Sequence, residues 1–148
     1  MKKLFSGRHP LTIGSILLLI WSLLEVYFRL DTIWWALSGL MNLCVNEGIP
    51  FNRAVGYFDP SMFYLVIFTI VCLIFAILCL VFRNRPKAGY FMMLSATAIG
   101  GVGLFRLDLL GTLPVGYLKI IPFALIIIGS VMNIIQFNRR RSAKQAGE

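Results

Sequence analysis

Apolar residues along this chain come in four long runs: Leu11–Leu30, Met62–Phe82, Ala88–Leu110 and Val115–Phe137. A bilayer core about 30 Å thick requires roughly 20 helical residues, within a range of roughly 17–25, and each run meets that length. Barrel strands would be about half as long and would alternate apolar with polar positions. The four runs do not alternate. Hydrocarbon offers the backbone no hydrogen-bonding solvent, so a segment that crosses it must be helical. The pattern predicts an all-α integral membrane protein, a four-helix up-down transmembrane bundle forming one domain over residues 1–148.

The polar breaks set the order of the helices. Arg83–Lys87 joins the second helix to the third, and a few residues around Gly111–Pro114 join the third to the fourth. Connections this short make consecutive helices antiparallel neighbours. The first connection, residues 31–60, is long and ends in Asp59-Pro60, where Asp suits a helix N-cap and Pro the first helical position. Within it, Asp31–Asn46 repeats with helical period: Asp31, Ser38, Asn42 and Asn46 share one face. This predicts an amphipathic helix lying on the outer membrane surface, anchored by Trp34 and Trp35. The alternative is a lid or ligand-facing surface.

Composition strengthens the membrane reading. Hydrophobic residues make up 59% of the chain and charged residues 14%, against about 45–50% and about 25% in soluble domains. Disorder, a nucleic-acid module and a secreted disulfide scaffold are all disfavoured. The first run begins like a signal peptide at Met1-Lys2-Lys3, but it is long and lacks a small-residue cleavage site, so it reads as a retained helix. Ten of the 14 Lys and Arg lie on one side: Lys2, Lys3, Arg8, Arg83, Arg85, Lys87, Arg139, Arg140, Arg141 and Lys144. The positive-inside rule then places both termini in the cytoplasm, in a cell (inner) membrane.

Charges within the apolar runs are the leading candidates for a site. Glu25, Arg29, Arg106, Asp108 and Lys119 fall near the outer ends of helices. At about 1.5 Å per residue, Glu25, Arg106 and Lys119 sit at one depth, roughly 6–8 Å beneath the outer edge. Ionisable groups there cost several kcal/mol unless paired, and mark functional sites by default. Glu25 and Arg29 also have the spacing and order of a helical ion pair, and Arg29 and Lys119 can snorkel toward headgroups. An interhelical network, with Glu25 facing Arg106, is expected over a transport site. Glu25 on the first of four helices resembles the small multidrug transporters. Arg29 one turn away and the long first loop depart from their pattern.

Ala96, Gly100 and Gly103 line one face of the third helix and allow close backbone approach, within the chain or between subunits. Pro122 should bend the fourth helix near Leu118. Asn133 and Gln136 can bond between helices. Cys72 and Cys79 are too far apart on one helix for a disulfide and read as small hydrophobes, while Cys44 is free or links two subunits. His9 is the single histidine, which excludes bis-histidine haem and His-based zinc catalysis within one chain. No nucleophile–base pair, phosphate loop or metal cluster is visible. A non-enzyme without cofactors is expected.

The basic tail, residues 138–148, carries Arg139, Arg140, Arg141 and Lys144, which suit anionic lipid at about 1 kcal/mol each or an acidic cytosolic partner. With the Met1-Lys2-Lys3 start and four helices, this bare basic tail resembles the small four-helix membrane subunit of Kiwa-type bacterial antiphage defence systems. That resemblance implies an oligomeric membrane sensor holding a cytosolic effector. The expected partners are membrane lipids, further copies of the chain and a cytosolic protein, without direct nucleic-acid binding. The alternative function is a small transporter or channel using the charge layer. The charge split is tested by reporter fusions: a reporter active only in the cytoplasm should work after Gln145 and stay silent within residues 46–56. The reverse pattern would invert every side assignment.

Overall fold

Each apolar run is helical in the computed structural model of the protein, which describes residues 8–85, 87–106 and 118–147, apart from the side chain of Met62. We number the helices α1 (Arg8–Val45), α2 (Phe51–Ala54), α3 (Pro60–Phe82), α4 (Ala88–Phe105) and α5 (Ile120–Ala146). A single 3-10 turn, Val55–Tyr57, follows α2. All of these except α2 are long and apolar enough to cross a membrane, and no strand occurs among the described residues. Only 22–33% of each candidate span is buried inside the protein. The rest presents side chains such as Ile20, Leu24, Ile67, Ile74, Phe91, Leu94, Ile121 and Ile128 outward. Surface this apolar suits hydrocarbon and not water.

The first helix differs most from expectation. It runs unbroken for 38 residues, so Asp31–Val45 continues α1 in place of a separate helix in the membrane plane. At about 1.5 Å per residue α1 is about 57 Å long, nearly twice the thickness of a bilayer core of about 30 Å. The continuity has a backbone cause. A break near Asp31 would orphan the amides and carbonyls of two new helix ends, and no proline interrupts the segment. The helix stops before Gly48, whose φ of 66° is left-handed, a conformation glycine adopts without steric cost. The Ile49 amide donates to the Leu43 carbonyl at 3.1 Å across this turn.

Asp59 caps α3 as its position predicts: its carboxylate accepts from the Ser61 amide at 3.0 Å, with Pro60 in the first turn. That bond holds the exposed Asp59 carboxyl below the usual range. The predicted third helix ends at Phe105, with Arg106 as a non-helical C-cap, short of the expected Leu110. Residues 107–110 and the connection at Gly111–Pro114 lie outside the described residues. The fourth is described from Leu118 onward, its predicted start at Val115 lying outside the described residues, and it extends beyond its predicted end. Helix α5 itself begins at Ile120, so Pro122 stands in the first turn, where amides have no intrahelical acceptor to lose. Near the bend expected at Leu118, a turn at Lys119 separates helical Leu118 from Ile120. At the other end, the tail expected beyond Phe137 continues as helix to Ala146, in keeping with the helix propensity of its Arg, Lys, Ala and Gln residues.

Packing centres on α1. Leu11, Ser15, Leu18 and Ser22, spaced three and four apart, are buried and place one face of α1 between α3 and α5. The α4 helix packs on α5. Although a short connection joins α3 to α4, the two meet little, around a small cavity where Cys79 and Phe82 face Ala88 and Met92. Of the consecutive spans, α1 with α3 and α4 with α5 pack extensively, while α3 with α4 does not. Glu25 meets Thr69 while Ser15 adjoins Cys79, so positions rise along α1 as they fall along α3. Likewise Gly14 adjoins Leu125 where Glu25 meets Lys119, and Gly89 adjoins Ile134 where Gly100 adjoins Phe123.

At Gly14, α1 comes close to α5. A Cβ built there would lie 2.9 Å from both the Leu125 Cβ and the Pro122 carbonyl oxygen. Backbone cannot yield as a side chain can. Gly14→Leu should therefore destabilise the protein by at least the ~1–3 kcal/mol typical of overpacking. Gly101→Leu should be nearly neutral, because nothing lies within 4 Å of its built Cβ. Equilibrium unfolding in mixed detergents compares the two, and equal stabilities would contradict this account of the α1–α5 contact.

Candidate functional site

One cluster of ionisable groups lies between the helices. Glu25 projects from α1 and forms an ion pair with Lys119, the residue that precedes α5. The Lys119 side chain is 4% exposed and that of Glu25 17%. Arg29, one turn further along α1, lies 3.8 Å from the same Glu25 oxygen and is 27% exposed. The second Glu25 oxygen lies 3.3 Å from the Thr69 hydroxyl on α3. That hydroxyl also donates to the Leu65 carbonyl at 2.9 Å. One hydroxyl proton serves one acceptor at a time, so the two contacts compete.

Each helix contributes for a local reason. Glu25 continues the buried α1 stripe of Leu11, Ser15, Leu18 and Ser22 by one step of three residues. Lys119 sits at the end of α5 where the helix dipole is positive, which favours the Glu25 carboxylate and disfavours the ammonium. The carboxylate therefore compensates both a side-chain charge and a helix end. Two cations face one anion in this trio. Lys119 is the more deeply buried partner, and Arg29 is the surplus charge at the edge.

The structure brings together three of the five residues expected in the charge layer: Glu25, Arg29 and Lys119. Arg106 is placed otherwise. It ends α4 with its guanidinium 6.0 Å from the Tyr64 ring centroid, in cation–π range. The ionic partners of Glu25 among the described residues are Lys119 and Arg29, so the expected Glu25–Arg106 facing is replaced by Glu25–Lys119. Asp108 lies outside the described residues.

Ala96, Gly100 and Gly103 do pack, but within the chain: Ala96 and Gly103 are buried, and Gly100 faces Phe123 of α5. That face is already occupied and offers no basis for contact between subunits. Arg139, Arg140, Arg141 and Lys144 are exposed on the last turns of α5. Among the described residues no group of three or more His, Cys, Asp or Glu is arranged to hold a metal. Thr69 and Gly14 were missed from sequence. Thr69 is the one Ser or Thr in the span Phe63–Phe82, whose mean hydropathy is 3.3, a signal that was available. No protein-family model, curated protein or solved structure matches the chain.

The arrangement can clamp α1, α3 and α5 at one level. Removing one partner of a buried pair strands the other charge, at about 3–5 kcal/mol where burial is complete. Glu25 and Arg29 retain some exposure, so the expected loss for Glu25→Gln is about half that. A Glu25→Gln, Lys119→Gln double variant should recover much of the stability, whereas Glu25→Gln with Arg106→Gln should not. Detergent unfolding of the single and double variants tests this. Rescue by Arg106→Gln and none by Lys119→Gln would overturn the pairing.

Proposed function

We propose that the chain is a non-enzymatic multi-pass membrane subunit, an up-down bundle with both termini in the cytoplasm, that senses at the outer face of the membrane for a cytosolic partner. The observation that carries this reading is the continuity of α1. One unbroken helix holds the buried Glu25–Lys119 pair and, beyond it, the exposed segment with Trp34, Trp35 and Met41. A rigid rod transmits a displacement at its exposed end to the buried clamp, which a flexible loop would not. Expected partners are lipids along the outward apolar faces, further copies of the chain, and an acidic cytosolic protein on Arg139–Arg141 and Lys144. Bacterial antiphage defence is one setting that fits such a subunit.

The transporter reading has less support. A carrier carboxylate must exchange its proton or ion, and Glu25 is held by Lys119, Arg29 and Thr69 together. Reconstituted in liposomes, the chain should show no ion conductance or uptake above protein-free vesicles. A flux abolished by Glu25→Gln in a protein that still folds would overturn the sensor proposal. The tail is tested separately. A soluble protein retained in mild detergent should be lost when Arg139, Arg140, Arg141 and Lys144 are all replaced by Gln.

A further inference from the structure

Where α1 passes α3, the two helices leave an apolar cavity of about 250 Å³. Its walls come from one face of α1, with Arg29, Ile33, Leu37 and Leu40 at helical spacing, and from Val66 on α3, with Phe58 closing the far end. Phe58 also packs on Gly39: a Cβ built there would lie 3.2 Å from its ring. Small-molecule pockets run about 300–1,000 Å³ with mostly apolar walls and a few placed polar groups, so this cavity suits a slim ligand. Arg29 is the one charged residue among its described lining.

Among the described residues, the charge at the cavity is unbalanced. Glu25 is engaged by the more buried Lys119, and Arg29 lies 3.8 Å from the same oxygen. The trio carries two positive charges against one negative, and the excess sits at the cavity wall. A guanidinium presents a planar fork of donors that matches a carboxylate. The direction of the cavity selects further. It starts at Arg29 and extends toward Leu40 and Phe58, away from the packed core around Leu18 and Cys72. A bilayer phospholipid with its phosphate on Arg29 would run its chains the opposite way, toward that core.

The geometry points to a binding site for a single-chain anionic amphiphile of the fatty-acid class, with its carboxylate on Arg29 and its alkyl chain along Ile33, Leu37 and Leu40. This deepens the sensor reading, on which it rests for its consequence, by naming what the exposed half of α1 detects. Binding shares Arg29 with the clamp and fills the space between α1 and α3, so occupancy and the Glu25 pair are coupled.

The probe is labelled decanoate, bound to the full chain in zwitterionic nanodiscs and corrected for empty discs. Binding should saturate, and decanol should compete at least about tenfold more weakly, the worth of one charge-assisted bond. Arg29→Gln should erase the difference between acid and alcohol, and Arg29→Lys should keep part of it. Ala36→Phe, which fills the cavity, should remove both. Equal affinity for acid and alcohol in the native protein would overturn the proposal even if the Arg29 variants do not fold. So would full decanoate binding by Ala36→Phe. Displacement of decanoate in phosphatidylglycerol discs would assign the site to a membrane phospholipid instead. Failure to bind decanoate leaves the flux and tail experiments intact, so it separates this site from the sensor reading itself.

Discussion

The Glu25–Lys119 ion pair is the interaction on which the bundle's arrangement turns. Neither charge is tolerable alone in an apolar interior, where desolvation costs several kcal/mol per ion. Each therefore constrains the helix that carries it. Glu25 fixes the rotation of α1 about its axis, since the carboxylate must face inward with Ser15, Leu18 and Ser22. Lys119 fixes the level at which α5 begins. Thr69 extends the same constraint to α3. Dispersion between helices and lipid is nearly as good as between helices, so apolar packing alone discriminates weakly among rotations and registers. A charge pair discriminates strongly.

Close packing supplies what the pair does not. Near the opposite end of α1, Gly14 brings its backbone against Pro122 and Leu125, and Gly100 admits the Phe123 ring from α5. The absence of side chains at these points lets α5 contact α1 and α4 closely, so α5 joins α1 to α4. Pro122 fits because it lies in the first turn, where it costs no intrahelical hydrogen bond. The polar Ser15 is accommodated in the same way as in many membrane helices, by donating to the Leu11 carbonyl at 2.7 Å. The interior thus combines small residues with Leu11, Leu18, Ile126 and the rings of Phe68, Phe75 and Phe123, with the charge cluster at one level.

The length of α1 links two regions of this architecture. A helix of 38 residues exceeds what a bilayer core requires, and its surplus carries exposed aromatic side chains and one wall of an apolar cavity. Arg29 belongs to both regions: it lies against Glu25 and lines the cavity. A change in what faces Arg29 is felt by the carboxylate that holds α1 to α5. Such coupling needs no moving domain. It requires one helix stiff enough to carry both sites, and a pair whose alternatives are costly.

The existence of four membrane-length helices was legible from sequence because lipid leaves no other way to satisfy a backbone, and about 20 consecutive apolar residues have no competing soluble explanation. The Asp59-Pro60 cap was equally readable, being local chemistry over three residues. The candidate site was legible as a set of suspicious charges, since depth follows from counting residues. Their partners were not. Depth places Glu25, Arg106 and Lys119 on one level but says nothing of azimuth, and azimuth depends on which helices touch. Only the tertiary structure decided that α1 lies between α3 and α5, which gives Glu25 to Lys119 and sets Arg106 over Tyr64. Period likewise showed that Asp31–Asn46 is helical. Whether it turned into the membrane plane or continued α1 depended on the junction at Leu30–Asp31, where no residue type forces a break and the backbone hydrogen bonds carry on.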